Sequence, residues 1–265
     1  MSTARLFLAA LLLAALALGA GSRTLAADRT LDEYFEFRTN STLPGMLFGV
    51  TPQGEVGFDG ALQQNIPVAY TPKGGNVVVG GSAGSKSRSI QIGTNAAKSD
   101  GTAFLGVGLG GGKHPGYVSW EATSNKIEEC FNGQIQVLAG HDTRPAIAVG
   151  VQDAGNERQR FIHQNAHNAR SVYATATGAF SQATWRPIYW TLGLGNGRFR
   201  RGFAGVSVPF TDHLKLVAEY DSFNPNLGLA FGVNGHDTDR HWELLGYAGL
   251  TDLKYPLLGL TATFN

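Results

Sequence analysis

Adjacent acidic and imidazole side chains recur in this chain: His141-Asp142, Asp212-His213, His236-Asp237, and Asp239 with His241. A histidine oriented by a carboxylate is the base of many hydrolytic sites, so such groups gathered at one rim would support a hydrolase. Each pair also lies in a polar turn, where Asp and His serve local backbone hydrogen bonds. The turn reading outweighs the catalytic one, and we assign no catalytic residue. His163 and His167 stand at i, i+4 and would share one side of a helical turn. No third ligand accompanies them, so no metal site is assigned. The run Gly106-x-Gly108-x-Gly110-Gly111-Gly112 resembles a phosphate cradle only until its sequel is read. A cradle needs a helix start after the glycines, and Lys113-His114-Pro115-Gly116 leads into another strand. No cofactor is expected. Cys130 is the single cysteine, which excludes an intrachain disulfide, and it receives no role.

Two further sets of charges have a place rather than a reaction. Arg198, Arg200 and Arg201 fall in one basic loop, where they could contact lipopolysaccharide phosphates or acidic glycans. Lys215, Glu219 and Asp221 alternate with Leu214, Leu216, Ala218 and Tyr220 along His213–Asp221. That period of two belongs to a strand with one apolar and one polar face. The polar face is the expected lining of a lumen.

The same alternation runs through most of the chain. Five strands close the sequence: Phe203–Pro209, His213–Asp221, Pro225–Val233, Trp242–Leu250 and Leu257–Phe264. Upstream we read Gly60–Tyr70, Asn76–Ser82, Arg88–Gly93, Thr102–Leu109, Tyr117–Thr123, Gly133–Gly140, Pro145–Gln152, Ser171–Phe180 and Ile188–Gly195. The longest interruption, Asp153–Arg170, is polar and reads as an extracellular loop. The expected fold is all-β, an antiparallel transmembrane β-barrel of about 12–14 strands. Trp120, Trp185, Tyr189, Trp190, Phe203, Phe210, Tyr220, Trp242 and Tyr255 lie near strand ends, as girdles at two membrane interfaces do. Small residues opposite the apolar face, such as Gly106, Gly108, Ala146 and Ala148, predict free space inside.

The N-terminus has the layout of a signal peptide over residues 1–27: an early Arg5, an apolar run through Leu6–Ala20, and small residues to Ala27. Residues 28–53 read as a periplasmic arm or plug, with Tyr34, Phe35 and Phe37 as its apolar contacts, and 54–265 as the barrel. Lys plus Arg is 21 and Asp plus Glu is 20, which gives no electrostatic case for nucleic acid. The 36 glycines carry no triplet period, so collagen is excluded and curved strands are indicated.

Leu43-Pro44-Gly45 followed by Gly54-Glu55-Val56-Gly57, then Gly205-Val206-Ser207-Val208-Pro209, Leu216-Val217-Ala218-Glu219-Tyr220-Asp221 and Asn226-Leu227-Gly228, form a pattern. The chain resembles on these residues the YjbH family of outer-membrane barrels, across most of its length. The resemblance implies a link to exopolysaccharide production. Taken with the strand pattern, it leads us to expect a non-enzymatic, porin-like outer-membrane protein, either a narrow pore or an exopolysaccharide-associated component. Its expected partners are membrane lipid and lipopolysaccharide, the outer-membrane assembly machinery and polysaccharide. A rim hydrolase with a His/Asp site and a secreted, soluble glycan-binding β-protein remain the alternatives.

Overall fold

Strand periodicity becomes a closed wall in a computed structural model that describes residues 42–84, 100–112, 114–123, 128–141, 144–156, 170–180, 186–237 and 240–265. Two short strands come first, β1 (Gly49–Val50) and β2 (Val56–Gly57), which pair only with each other. Twelve wall strands follow. They are β3 (Val77–Gly84), β4 (Asp100–Leu109), β5 (Gly116–Thr123), β6 (Glu128–Leu138), β7 (Ala146–Gln152) and β8 (Ser171–Phe180). Then come β9 (Ile188–Gly195), β10 (Phe203–Pro209), β11 (Leu214–Tyr220), β12 (Pro225–Asp237), β13 (Arg240–Thr251) and β14 (Tyr255–Phe264). Each pairs antiparallel with its sequence neighbour, and β14 closes on β3 from Leu257↔Gly84 to Phe264↔Val77. Closure removes every free sheet edge, which is the condition for a β-structure to stand in hydrocarbon.

Period-two alternation sorts the side chains. On β11, Lys215, Val217 and Glu219 are buried while Leu214, Leu216, Ala218 and Tyr220 are partly exposed. On the outside, Leu105, Val118, Phe131, Val149, Leu192, Phe231, Leu258 and Leu260 stand exposed. An apolar belt of this extent around a closed barrel fits an outer-membrane barrel protein. Among the described residues no helix is long and apolar enough to cross a membrane.

The barrel has two ends. At the C-terminal end β4, β10, β12 and β14 finish, with Asn265, and at the opposite end, called the loop end, β3 and β7 finish and β4 and β8 begin. Several expectations change. The barrel starts at Val77 and not at Gly54, and Gly60–Tyr70 is not a wall strand. Arg88–Gly93 lies outside the described residues, and β3 pairs directly with β4. The described wall thus has twelve strands, within the expected 12–14. The gap between the expected strands Pro225–Val233 and Trp242–Leu250 is mostly ladder: β12 and β13 stay paired out to Asp237↔Arg240. Tyr189 and Phe203 face inward rather than forming a girdle. The signal-peptide and Tyr34–Phe37 readings lie outside the described residues, as does Trp185.

The outward face generates a direct test. Leu260 is 55% exposed midway along β14. Leu260→Arg should destabilise the bilayer-folded protein by about 2–4 kcal/mol. The measurement is a denaturant titration in lipid vesicles, with Thr263→Ser, on the inner face, as the near-neutral control.

Candidate functional site: the lumen plug

Residues 42–76 run inside the barrel as an irregular chain. Most of Thr42–Val50 and Gly60–Pro72 is fully buried, while Pro52, Gln53, Asp59 and Lys73–Gly75 are exposed at the C-terminal end. The segment makes three passes: Leu43 to Val50, Val56 to Gln64, and Ile66 to Asn76. Its own bonds join the passes, as in Val50↔Ala61, Gln63 N–H to the Gly45 carbonyl at 2.7 Å, and Val68 N–H to the Pro44 carbonyl at 2.9 Å. The Pro44-Gly45 bend needs glycine. Its φ is +88°, and a Cβ there would sit 2.5 Å from a Val68 methyl.

An extended or irregular segment satisfies few of its own peptide groups, and a buried one cannot turn to bulk water. The inner wall supplies the partners. Glu219 accepts from the peptide N–H of Gln64 and of Asn65, each at 2.8 Å. Arg198 donates to the Asn65 carbonyl at 2.6 Å. Lys215 donates to the Phe58 and Gly60 carbonyls and lies 4.8 Å from the Phe58 ring. Thr177 accepts from Ala69 N–H at 2.8 Å, and Gln136 accepts from Thr71 N–H at 3.1 Å. Gln134 donates to the Val68 carbonyl at 3.0 Å and is itself held by Tyr173 at 2.7 Å. At the C-terminal end the Asn265 amide pairs with both backbone groups of Val56, at 2.9 and 2.8 Å, and Glu243 accepts from Phe58 N–H. The wall therefore grips the plug mainly by its backbone.

Three apolar clusters complete the seating. Phe48, Val50, Val68 and Tyr70 pack with Val78, Phe104, Tyr117 and Tyr189. Leu47, Phe58 and Leu62 pack with Val217, Leu245 and Tyr247. Leu43, Met46 and Ile66 pack with Tyr173, Phe199 and Phe203 at the loop end. Gly205 makes room for the second and third passes, since a Cβ there would lie 2.4 Å from the Gln63 side chain. Tyr117, Tyr173 and Tyr247 lie against the inner glycines Gly106, Gly150 and Gly228, filling space that those residues leave. The predicted free space is therefore occupied by residues 42–53, which the sequence reading placed in the arm or plug, together with 54–76, which it placed in the barrel.

No model of a known protein family matches the chain, and no curated protein matches it.

Of the residues singled out from the sequence, Lys215, Glu219 and Asp221 are buried on the inner face, and each contacts the plug, Lys215 at Phe58 and Gly60 and the two carboxylates at Gln64-Asn65. Asp221 accepts from the side chains of Asn65 and Asn226 and from the Phe223 and Asn224 N–H groups, so it also shapes the β11–β12 turn. Arg198 is corrected: it is fully buried and turned into the lumen, while Arg200 and Arg201 are exposed. A short 3-10 turn, Gly197–Phe199, swings that one side chain inward. Exposed His141 bridges to Arg144, and exposed Asp212 pairs with Arg186 at 3.1 Å, beside exposed His213. His163 and His167 lie outside the described residues, as do the side chains of His236, Asp237, Asp239 and His241. Among the described residues no group of His, Cys, Asp and Glu could hold a metal. Buried Cys130 sits 3.7 Å from Glu121. Sequence reasoning missed Gln64, Asn65, Gln134, Gln136 and Asn265. The signal available was the run of three amides, Gln63-Gln64-Asn65, inside a supposed half-buried strand.

Removing Glu219 takes away the acceptor of two buried plug N–H groups, at about 1–3 kcal/mol each. Glu219→Ala should lower the unfolding free energy by about 2–5 kcal/mol. Asn65→Ala keeps both backbone bonds and should cost only about 1 kcal/mol. Equilibrium unfolding in micelles compares the two directly.

Proposed function

We propose that this chain is a non-enzymatic outer-membrane barrel that rests as a closed channel, its lumen shut by its own residues 42–76. The observation that carries this reading is the character of the wall. Ser119, Gln134, Gln136, Thr175, Thr177, Thr191, Ser207 and Thr251 are buried on the inner face. A barrel that served only as an anchor could fill itself with its own side chains, as barrels of about 8 strands do. Twelve strands enclose more than side chains can fill, and this wall has the polarity that water needs once the plug is displaced. The contacts that hold the plug are reversible hydrogen bonds and apolar packing, so displacement breaks no covalent bond.

The YjbH resemblance adds exopolysaccharide as the class of molecule served. Its residues belong to the plug (Leu43–Gly45, Gly54–Gly57) and to the wall that grips it: Ser207 on β10, Glu219 on β11 and Asn226 on β12. The resemblance thus describes the closed core itself. Arg200 and Arg201 support lipopolysaccharide phosphates as surface partners at the loop end. A signal peptide and the assembly machinery belong to the same reading of the envelope.

Planar-bilayer recording tests it. The intact protein should be silent most of the time. Lys215→Ala combined with Glu219→Ala removes grips at both ends of the second pass and should give long-lived openings. Steady conductance from the intact protein, or silence from a folded double variant, would contradict the closed-channel reading.

A further inference from the structure

The plug is not held equally all round. Its second and third passes are hydrogen-bonded to β6, β8, β11 and β13 and to Arg198. The first pass is held otherwise. Its backbone bonds run to the other passes, as from Leu47 N–H to the Gln63 carbonyl at 3.0 Å and from Val50 N–H to the Ala61 carbonyl at 3.1 Å. The preceding Thr42 carbonyl accepts from Ser119 on β5 at 2.7 Å. Among the described residues no hydrogen bond joins Leu43–Val50 to β14, β3 or β4. The contacts there are apolar. Leu47 lies over Gly259 of β14, where a Cβ would come within 3.3 Å of its methyls, and Phe48 shares a cluster with Val78 of β3 and Phe104 of β4.

The wall beneath does not match that apolar cover. Thr261 and Thr263 of β14 are 1% and 0% exposed, and neither hydroxyl has a hydrogen-bond partner. The ladder sets further hydroxyls beside them. Thr263 pairs with Val78, Thr261 with Gly80 and Gly259 with Ser82, whose hydroxyl lies 2.7 Å from that of Thr102 on β4. From the C-terminal end upward, Thr263, Thr261 and then Ser82 with Thr102 occupy successive inward levels of one strip. A buried hydroxyl without a partner forgoes the bonds that water would give it. Wetting this strip breaks no bond between the first pass and β14, β3 or β4, whereas wetting the opposite wall means breaking those of Glu219, Thr177 and Gln136. One clamp shuts the strip at its C-terminal end, the Asn265 amide on both backbone groups of Val56. Asn265 is exposed, so water competes for both bonds.

We infer that the plug parts from the wall along β14, β3 and β4 once the Asn265 clamp releases. Water and small ions then pass over Thr263, Thr261, Ser82 and Thr102, while the second and third passes stay bonded to the opposite wall. The bond from Gly108 N–H to the Asn76 carbonyl, at 2.8 Å, holds the junction of the third pass with β3 and remains. The inference rests on the closed-channel reading and adds to it where the path lies and that opening is partial.

The experiment uses the full chain in a Cys130→Ser background, with folding checked by a heat-dependent shift on a denaturing gel. Thr261→Cys reports the strip, with Thr263→Cys as a second probe should the first not fold. Thr191→Cys reports β9, halfway round the barrel from β3, where Thr191 is fully buried against Thr177. A small charged methanethiosulfonate is added to each. Its attachment is read as added mass in vesicles and as a step in current in planar bilayers. The inference expects the strip cysteine to react about tenfold faster than Thr191→Cys, the factor that one further buried hydrogen bond to break would impose. Asn265→Ala should speed that reaction further. Equal rates at the two walls, a faster reaction at Thr191→Cys, or an unreactive strip would overturn the inference. Preferential reaction at the strip in a protein that passes no current, even with Lys215→Ala and Glu219→Ala, keeps the seam and sinks the channel reading instead.

Discussion

A buried irregular backbone must find a partner for every N–H and C=O, and inside a closed barrel those that its own passes do not supply must come from the wall. That constraint accounts for the composition of the inner face while the plug is seated. Glu219, Lys215, Arg198, Gln134, Gln136 and Thr177 all end on peptide groups of the plug. A charge in such a place is costly unless it is paired and hydrogen-bonded. Here each charged group meets peptide dipoles of the opposite sense, carbonyl oxygens for Lys215 and Arg198 and N–H groups for Glu219. Wall and plug are thus each incomplete without the other: the plug has little ladder of its own beyond β1–β2, and the wall would otherwise hold buried charges with no counterpart.

Much of the wall was legible in the sequence, because a strand with lipid on one side must alternate. His213–Asp221 has both its faces as read, and the segments around Ser171–Phe180 and Ile188–Gly195 fall where the alternation puts them. Gly60–Tyr70 misled for a physical reason. Leu62, Ile66, Val68 and Tyr70 do alternate, but the intervening Gln63, Gln64, Asn65 and Ala69 are equally buried. Alternation reports two different environments, and in a plug the polar positions face hydrogen-bonding wall groups rather than water. Arg198 shows a different limit. Whether a basic loop residue points outward or inward depends on a single short turn, and nothing in the spacing of Arg198, Arg200 and Arg201 distinguishes them.

The two ends of the plug are held by different chemistry, which bears on how it could move. At the loop end the apex Gln64-Asn65 is held by Glu219 of β11, which Asn226 of β12 supports, by the Thr251 hydroxyl of β13 and by Arg198. At the C-terminal end Asn265, Glu243 and Lys215 hold Val56–Gly60, and Arg186 pairs with Asp59 at the surface. The exposed pair contributes little, whereas the enclosed groups are the ones whose loss strands buried partners. Because the third pass continues directly into β3 at Val77, the plug stays tethered whichever contacts release.

The central claim is that residues 56–71 are seated in the lumen by bonds from the wall to their backbone. Hydrogen exchange measured on the folded protein in micelles tests it most directly. The peptide N–H groups of Phe58, Gln64, Asn65, Ala69 and Thr71 should exchange as slowly as those of the wall strands. Exchange of this stretch at the rate of an open loop, with β11 still protected, would contradict the account.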